Sequence, residues 1–289
     1  MSDTFERPAA AAAIYRGMNQ ATLDAAYNSG SAVPDSAEWM ARGRERSTAV
    51  RAATPAHLLD VAYGSRPRQR FDYFPSGATN EPLAVFIHGG YWQRNDKDGF
   101  AFVTEGPRAH GIDVATVGYT LGPEARMTDI VAEMHLALTY LADHAQDFGF
   151  DRERLFVTGW SAGGHLTAMA ATHEACRGGI PISGIYDLEP IALSYLDEKL
   201  GLDPTEVATL SPLRVLPIRL PPLRVIVGGD ELPEMKRQSA TYVEAARERG
   251  LPVTLTVLPG HHHFSILDEL SRPDGAITRA LVELITAAK

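Results

Sequence analysis

The sequence is poor in cysteine, in positive charge and in long apolar runs. Its 289 residues include one cysteine, Cys176, which excludes an internal disulfide and fits a reducing compartment. Acidic residues outnumber basic ones by 36 to 27, and the formal net charge of −9 argues against a nucleic-acid partner. No run approaches the roughly 20 apolar residues that span a bilayer. The run Ala9–Ala13 follows Asp3 and Glu6, where an export signal would carry basic residues. We therefore expect a cytoplasmic protein that binds neither nucleic acid nor membranes.

Short apolar runs rich in β-branched residues alternate with helical stretches from residue 71 onward. Strands are predicted at Leu83–Ile87, Val114–Tyr119, Leu155–Gly159, Gly179–Ile185, Leu223–Val227 and Val253–Leu258. Helices are predicted around Asp98–His110, Thr128–Phe148, Ala162–His173, Glu234–Gly250 and Gly275–Ala288. This alternation predicts an α/β fold, with a buried and mostly parallel sheet covered by helices on both faces.

Two stretches fall outside this alternation, although we expect residues 1–289 to form a single domain. Residues 1–60 look helical and loop-like, with short helices predicted at Ala21–Tyr27 and Ser36–Ala53 and with Ser36 at the N-cap of the second. Residues 187–217 contain helical pieces and no clear strand. They are predicted to be an insertion near the carboxyl edge of the sheet, where open α/β sheets carry their active sites.

Ser161 stands where a predicted strand meets a predicted helix. The strand Leu155–Gly159 runs directly into the segment WSAGG, and a helical pattern follows. The pattern G-x-S-x-G in this strand–turn–helix setting is typical of a nucleophilic serine. The turn requires Gly159 and Gly163 because side chains at these positions would collide with neighbouring backbone. The helix N-terminus behind the serine favours the negative charge that develops during nucleophilic attack.

A glycine-containing segment, His88 to Trp92, closes an earlier strand. Glycine lets the backbone approach a substrate without a Cβ in the way. We therefore expect Gly90, together with Gly89 or Tyr91, to donate amides to an oxyanion hole that the Ala162 amide completes. His88 is expected to be structural, with its imidazole hydrogen-bonding the loop. Positions in the substrate pocket are predicted for three aromatic residues near these loops, namely Tyr91, Trp92 and Trp160, although Trp92 could equally belong to the core.

The general base is expected after the last strand, where His261, His262 and His263 follow one another. We choose His263, with His262 as the alternative. Two carboxylates, Asp230 and Glu231, follow the strand before it, and spacing does not choose between them as the acid. The three histidines do not indicate a metal site because adjacent residues cannot easily converge on one ion. We expect neither a metal nor another cofactor.

With these residues in hand, the chain resembles the kynurenine formamidase (arylformamidase) branch of the α/β-hydrolases, near the hormone-sensitive-lipase-like esterases. The resemblance covers nearly the whole chain. The matching segments are LDAAYN at 23–28, HGGYWQ at 88–93, SAGGH at 161–165, PE and RQS within 233–239, and HF at 263–264. The resemblance implies an α/β-hydrolase fold with an N-terminal segment that caps the active site. It also implies that Glu231 rather than Asp230 is the acid, whereas animal members have Asp.

The resemblance implies a small amide substrate, an aryl formamide such as N-formyl-kynurenine, cleaved through an acyl-enzyme on Ser161. The alternative is a carboxylesterase acting on short-chain acyl esters, because the branch includes general esterases. A homodimer is compatible with the resemblance. Two other classes of protein are less compatible with the sequence. A non-catalytic receptor on the same fold would typically lack the nucleophile or the base, and both are present here. A metal-dependent hydrolase built on His261–His263 would lose activity with a chelator.

Overall fold

The computed structural model describes residues 12–288, and one eight-stranded sheet runs through them. Its strands are β1 (Val61–Ala62), β2 (Arg70–Phe74), β3 (Glu81–Ile87), β4 (Asp113–Val117), β5 (Phe150–Trp160), β6 (Cys176–Ile182), β7 (Leu223–Gly228) and β8 (Val253–Leu258). Their spatial order is β1-β2-β4-β3-β5-β6-β7-β8. The six strands from β4 to β8 along this order pair in parallel, whereas β1 and β2 pair antiparallel. The predicted α/β class is confirmed.

All six predicted strands are present, and they form the parallel part of the sheet. The antiparallel strands β1 and β2 were not predicted. The first has only two residues, and the second has one exposed residue followed by four buried ones. The sequence of β2, RFDYF, does alternate polar and apolar residues over Arg70–Tyr73, so a strand signal was present there and was not used in the prediction.

Thirteen helical segments surround the sheet in the described part of the chain. They are α1 (Gln20–Ala26), α2 (Ser29–Ala32), α3 (Ser36–Ala52), α4 (Glu105–Arg108), α5 (Met127–Asp143), α6 (Ala145–Phe148), α7 (Ala162–Ala170), α8 (Glu189–Ala192), α9 (Asp197–Leu200), α10 (Pro204–Thr209), α11 (Pro233–Glu248), α12 (Asp268–Ser271) and α13 (Ala276–Ala287). Tighter 3₁₀ turns occur at Ala56–Leu58, Lys97–Thr104 and Ser265–Leu267. Within residues 12–288, no helix has both the length and the apolar character needed to cross a membrane.

Several helix predictions differ in detail from the structure. The helix predicted at Thr128–Phe148 is divided at His144 into α5 and α6. The helix predicted at Asp98–His110 is a 3₁₀ segment followed by the short α4, in a stretch that contains the poor helix formers Gly106 and Pro107. The predicted N-cap of α3 is off by one residue, because Asp35 is the cap and Ser36 is already helical. The Ser36 hydroxyl instead donates to the carbonyl of Gly30 at 2.9 Å.

Both faces of the sheet are covered, and alternate residues of β3 show this directly. Leu83 and Val85 belong to one buried apolar cluster, to which α5, α7 and α11 also contribute. Ala84 and Phe86 belong to a second cluster on the opposite face, to which α13 contributes. A strand that is buried on both faces needs a continuous apolar run, because successive side chains point to opposite sides.

The carboxyl ends of β3, β5, β7 and β8 meet at one edge, because these strands run parallel. The loops that follow them carry the segment 88–92, Ser161, residues 229–231 and residues 259–263. The fold therefore gathers the predicted site residues at one edge of the sheet, although they are distant in sequence.

The two stretches outside the β/α alternation also lie near this edge. In the N-terminal stretch, α3 packs on the 3₁₀ segment Lys97–Thr104, where the Ser47 hydroxyl accepts the amide of Phe102 at 3.2 Å. Residues 1–11 of the predicted 1–60 cap segment lie outside the described residues. Residues 187–217 contain α8, α9 and α10 and no strand. The Gln93 amide, in the loop after β3, donates to the carbonyl of Leu196 in this stretch at 2.7 Å.

Candidate active site

Ser161 occupies a tight turn between β5 and α7. Its backbone has φ 59° and ψ −119°, a sparsely populated conformation for a residue with a side chain. Its amide donates to the Ile182 carbonyl at 2.8 Å, which fixes the turn against β6. A Cβ on Gly163 would overlap the Ile87 carbonyl, and a Cβ on Gly159 would overlap the Gly163 carbonyl. The turn is therefore closed by backbone contacts that only glycine allows.

His263 and Glu231 form a buried pair beside this turn. His263 Nδ1 lies 2.6 Å from Glu231 Oε2, and neither side chain is more than 6% exposed. Glu231 Oε1 accepts the Gly228 amide at 2.8 Å and the Ser183 hydroxyl at 2.5 Å. Asp230, by contrast, is exposed, and its carboxylate accepts no hydrogen bond from residues 12–288. Of the two carboxylates that the sequence left open, Glu231 is the one that contacts the histidine.

The two other histidines of the cluster face elsewhere. The ring of His262 packs edge-on against Trp39 with 5.2 Å between centroids, and its Nδ1 accepts the amides of Phe264 and Ser265. His261 Nε2 lies 3.6 Å from Glu269. Neither ring is hydrogen-bonded to Glu231, so the geometry does not favour His262 as the base.

A different cluster, Asp60, Asp72 and Asp98, is the group of metal-type ligands within the described residues. The Lys97 ammonium bonds all three carboxylates at 2.6 to 2.8 Å, and Arg51 of α3 pairs with them as well. Two cations of the chain therefore already pair with these three carboxylates and offset most of their charge. The cluster is an ion-pair network that fastens the end of α3 to β2 and to the 3₁₀ segment.

The glycine loop after β3 lies directly against the serine turn. A Cβ on Gly89 would lie 2.6 Å from the Trp160 carbonyl oxygen and 2.9 Å from the Cβ of Ser161. Gly90 has φ 127°, in the region that favours glycine. Within residues 12–288, the amides of Gly89, Gly90 and Ala162 donate to no protein acceptor. Three unpaired donors are thus available beside the serine.

His88 is enclosed beneath this loop. Its Nδ1 lies 2.9 Å from the Gly89 carbonyl, and its ring stacks on Tyr119 with 4.4 Å between centroids. The Tyr119 hydroxyl donates to the His88 carbonyl at 3.0 Å. Complete burial lowers the pKa of His88 to about 4, so the ring is neutral at pH 7. These contacts agree with the structural role expected for His88.

A cavity of about 220 Å³ opens at Ser161 and His263. Its other lining residues are Ser29, Gly30, Ser36, Ala37, Met40, Gly90, Tyr91, Arg94, Asn95, Trp160 and Phe264. The N-terminal segment supplies one wall, and residues 187–217 supply none of it. Tyr91 and Trp160 therefore line the cavity, as expected of pocket residues.

Trp92 does not reach this cavity, and the expectation that it lines the pocket is wrong. The residue is fully buried, and its ring packs edge-on against His165 at 5.0 Å. It belongs to the apolar cluster that also holds α5 and α7. A large apolar ring lowers the free energy more in this core than at a solvent-filled pocket, because burial removes its surface from water.

Two hydrogen bonds that hold the acid and the histidine were not indicated by the sequence. The Trp160 indole N–H donates to the His263 carbonyl at 2.7 Å, so the bulky residue next to Ser161 also positions the histidine loop. Ser183 donates to Glu231 from the loop after β6, where it has φ 50°. The available signal for Ser183 was its place: it is a polar residue directly after a buried parallel strand.

Tyr27 attaches the N-terminal segment to the site. Its carbonyl accepts the Tyr91 hydroxyl at 2.5 Å, and its own hydroxyl donates to Glu234 Oε2 at 3.0 Å. The Gln238 amide donates to the Tyr27 hydroxyl at 2.8 Å. One buried tyrosine therefore links the glycine loop to α11. The only sequence signal for this contact was the family resemblance of the segment LDAAYN, which contains Tyr27.

The sheet order, with a serine at the β5–α7 turn and an acid and a histidine at the carboxyl edge, defines an α/β-hydrolase. The chain is similar to the crystal structure of a putative thioesterase from Silicibacter sp. TM1040, with a TM-score of 0.81 and 28% identity. That match covers 90% of this chain and 98% of the other. A family model described as BD-FAE matches residues 72–188.

The sequence relatives give the narrower family. The chain is 30% identical over 258 residues to a kynurenine formamidase of Danio rerio, covering 84% of this chain and 85% of the relative. It is also 30% identical over 245 residues to a kynurenine formamidase of Salmo salar, covering 79% and 82%. This chain belongs to the kynurenine formamidase family, and it is a hydrolase of the α/β-hydrolase type. The family resemblance read from the sequence is confirmed.

Proposed function

We propose that this chain is a serine hydrolase that removes the formyl group from a small aryl formamide such as N-formyl-kynurenine. The observation that carries the proposal is the buried His263–Glu231 pair, with 2.6 Å between Nδ1 and Oε2, because His263 and Ser161 line the same cavity. The names of the relatives from Danio rerio and Salmo salar support the substrate class.

The first step is attack on the formyl carbon. His263 Nε2 accepts the hydroxyl proton as Ser161 Oγ forms the new bond. Glu231 accepts the hydrogen bond from Nδ1–H, which leaves Nε2 free as a base and stabilises the imidazolium that forms. The amides of Gly90 and Ala162, with that of Gly89, donate to the oxyanion. Loss of one such donor raises the barrier by about 3 kcal/mol in comparable sites.

The remaining steps release the two products. The His263 imidazolium protonates the aryl amine as the C–N bond breaks, which leaves a formyl ester on Ser161. His263 then deprotonates a water molecule, which attacks that ester. Formic acid leaves, and Ser161 regains its proton from His263. Formamide and water are thereby converted into amine and formic acid, which ionises to formate in water, and His263 performs every proton transfer at the site.

The cavity walls support an aromatic substrate. Tyr91, Trp160 and Phe264 offer ring surfaces near Ser161, and Met40 adds a thioether. Aromatic rings pack favourably on one another in offset or edge-on arrangements, and sulfur also contacts ring edges favourably. A flat aryl group with a small formyl substituent suits a cavity of about 220 Å³.

The test compares kcat/KM for N-formyl-kynurenine with that for p-nitrophenyl acetate. We expect a clear preference for the formamide, and loss of both activities in Ser161→Ala. A fluorophosphonate should label the wild type and not this variant, and a chelator should leave activity unchanged. Good turnover of the ester with none of the formamide would replace the proposal by the carboxylesterase alternative. Undiminished labelling of Ser161→Ala would refute the nucleophile.

A further inference from the structure

The residues that line the Ser161 cavity include positive charge and no carboxylate. Of its lining residues, Arg94 carries a permanent charge, His263 is titratable, and no Asp or Glu lies among them. The chain as a whole has a formal charge of −9, so a cavity without a carboxylate contrasts with the rest of the molecule. An anionic group on a ligand would therefore find a counter-charge among these residues.

Within residues 12–288, the Arg94 guanidinium has no partner in the protein. The residue is exposed, and its side chain forms no hydrogen bond or ion pair with any residue in the range 12–288. Its neighbour Asp96 pairs with Arg68 at 3.0 Å instead. Other arginines near the N-terminal segment, such as Arg46 and Arg51, are paired with carboxylates. The Arg94 donors are therefore free to bind a ligand.

A backbone hydrogen bond fixes the main chain of Arg94 to the glycine loop that carries the proposed oxyanion donors. Its amide donates to the Gly90 carbonyl at 3.0 Å, one turn after the proposed oxyanion donors. Asn95 next to it donates to the Gly89 carbonyl at 3.0 Å. The cation is thus built into the same loop as the proposed oxyanion hole, and its main chain is held by that loop.

Ser29 places a second polar group on the cavity wall. The residue is 4% exposed and lines the cavity together with Tyr91, whose hydroxyl donates to the Tyr27 carbonyl. A serine hydroxyl can donate a hydrogen bond to a carboxylate oxygen, so this position suits the same ligand group as a guanidinium.

We propose that Arg94, with Ser29 on the same cavity, forms a binding site for a carboxylate carried by the substrate. This inference rests on the proposed function and deepens it, because it assigns the residue that would recognise the carboxylate end of such a substrate. Guanidinium binds carboxylate through two parallel hydrogen bonds, which adds orientation to attraction. The carboxylate at Arg94 would hold the far end of the substrate while the formyl group lies at Ser161.

The test uses two ligands that differ only in charge, L-kynurenine and its α-carboxamide, as competitive inhibitors of p-nitrophenyl acetate hydrolysis. In Arg94→Gln we expect the Ki of kynurenine to rise about ten-fold, as for loss of a hydrogen bond to a charged group at an exposed position. The Ki of the carboxamide should stay within about two-fold. Arg44→Gln is the matched control, because Arg44 is an exposed, unpaired arginine on α3 that does not line this cavity.

The outcomes separate this inference from the proposed function. Equal changes for both ligands in Arg94→Gln, or no change for either, would overturn the carboxylate site even if N-formyl-kynurenine is a good substrate. A ten-fold change confined to kynurenine would support the site even if the formamide is not hydrolysed. With N-formyl-kynurenine as substrate, the same variant should raise KM about ten-fold and leave kcat nearly unchanged. An equal effect of Arg44→Gln would attribute the change to net charge alone and refute the site.

Discussion

Replacing Glu231 by Gln tests the proposed acid with little change of shape. The Gln side-chain oxygen still accepts the bonds from Gly228 and Ser183 that Glu231 Oε1 accepts now. Its NH₂ group then faces His263 Nδ1 in place of the carboxylate oxygen 2.6 Å away. Because an NH₂ group donates, Nδ1 must accept and the ring proton moves to Nε2. A histidine protonated at Nε2 does not take the proton from Ser161.

The expected loss in kcat is about 10⁴-fold, the size found when a triad acid becomes its amide. That factor corresponds to about 5.4 kcal/mol in the barrier, at 1.36 kcal/mol for each ten-fold step. Two effects of the buried position contribute. The wrong tautomer predominates, and the imidazolium of the transition state loses its anionic partner where little water reaches it, since Glu231 is 5% exposed.

Single-turnover and steady-state kinetics on the better of the two substrates measure this loss, with thermal unfolding as a check of folding. Asp230→Asn is the matched control, because it removes a neighbouring carboxylate that is exposed and unbonded to the rest of the described chain. It should retain activity within about two-fold. A loss below ten-fold in Glu231→Gln, or an equal loss in Asp230→Asn, would refute Glu231 as the acid.

Three further perturbations test the surroundings of the site. Ser183→Ala removes one of the two bonds that hold Glu231 Oε1 and should lower kcat about ten-fold with KM unchanged, measured by steady-state kinetics. Gly163→Ala places a Cβ inside contact of the Ile87 carbonyl and should cost about 3 kcal/mol or more in urea unfolding. Burial lowers the pKa of His165 to about 4, so stability should fall as the pH drops from about 6.5 to about 4, and His165→Gln should flatten that slope.

The sign of the pH effect follows from which state binds the proton. Folded His165 stays neutral to about pH 4, whereas the unfolded chain gains the proton near pH 6.5. The window of about 2.5 pH units amounts to roughly 3 kcal/mol. An unchanged slope in His165→Gln would contradict this. A raised KM in Ser183→Ala would contradict the role given to Ser183. Wild-type stability in Gly163→Ala would contradict the steric argument for Gly163. Gly30→Ala is the control for the latter, because a Cβ there meets only Asn28 Oδ1 at 3.7 Å.

The parallel strands β3 to β7 could be predicted because a strand buried on both faces must be apolar, which leaves a direct mark on the sequence. The edge strand β8 is mostly exposed, and its β-branched residues marked it instead. The two-residue β1 left no mark, whereas β2 carries the polar–apolar alternation of a strand that is buried less evenly. Trp92 shows a second limit. Its place beside the glycine loop suggested the pocket, but the direction of one side chain out of a loop depends on the packing partners that the fold brings there, here His165.

The sequence by itself determined the turn at Ser161, because the steric demand for Gly159 and Gly163 is local and any chain with that turn must satisfy it. It also determined the order of serine, acid and histidine along the chain. Only the tertiary structure decided which of two adjacent carboxylates contacts His263. Neighbouring side chains in a loop leave the backbone in different directions, and the path of the loop after β7 turns Glu231 inward to Gly228 and leaves Asp230 in water. The same holds for Arg94, because only the folded chain shows that it lines the Ser161 cavity and that no Asp or Glu does.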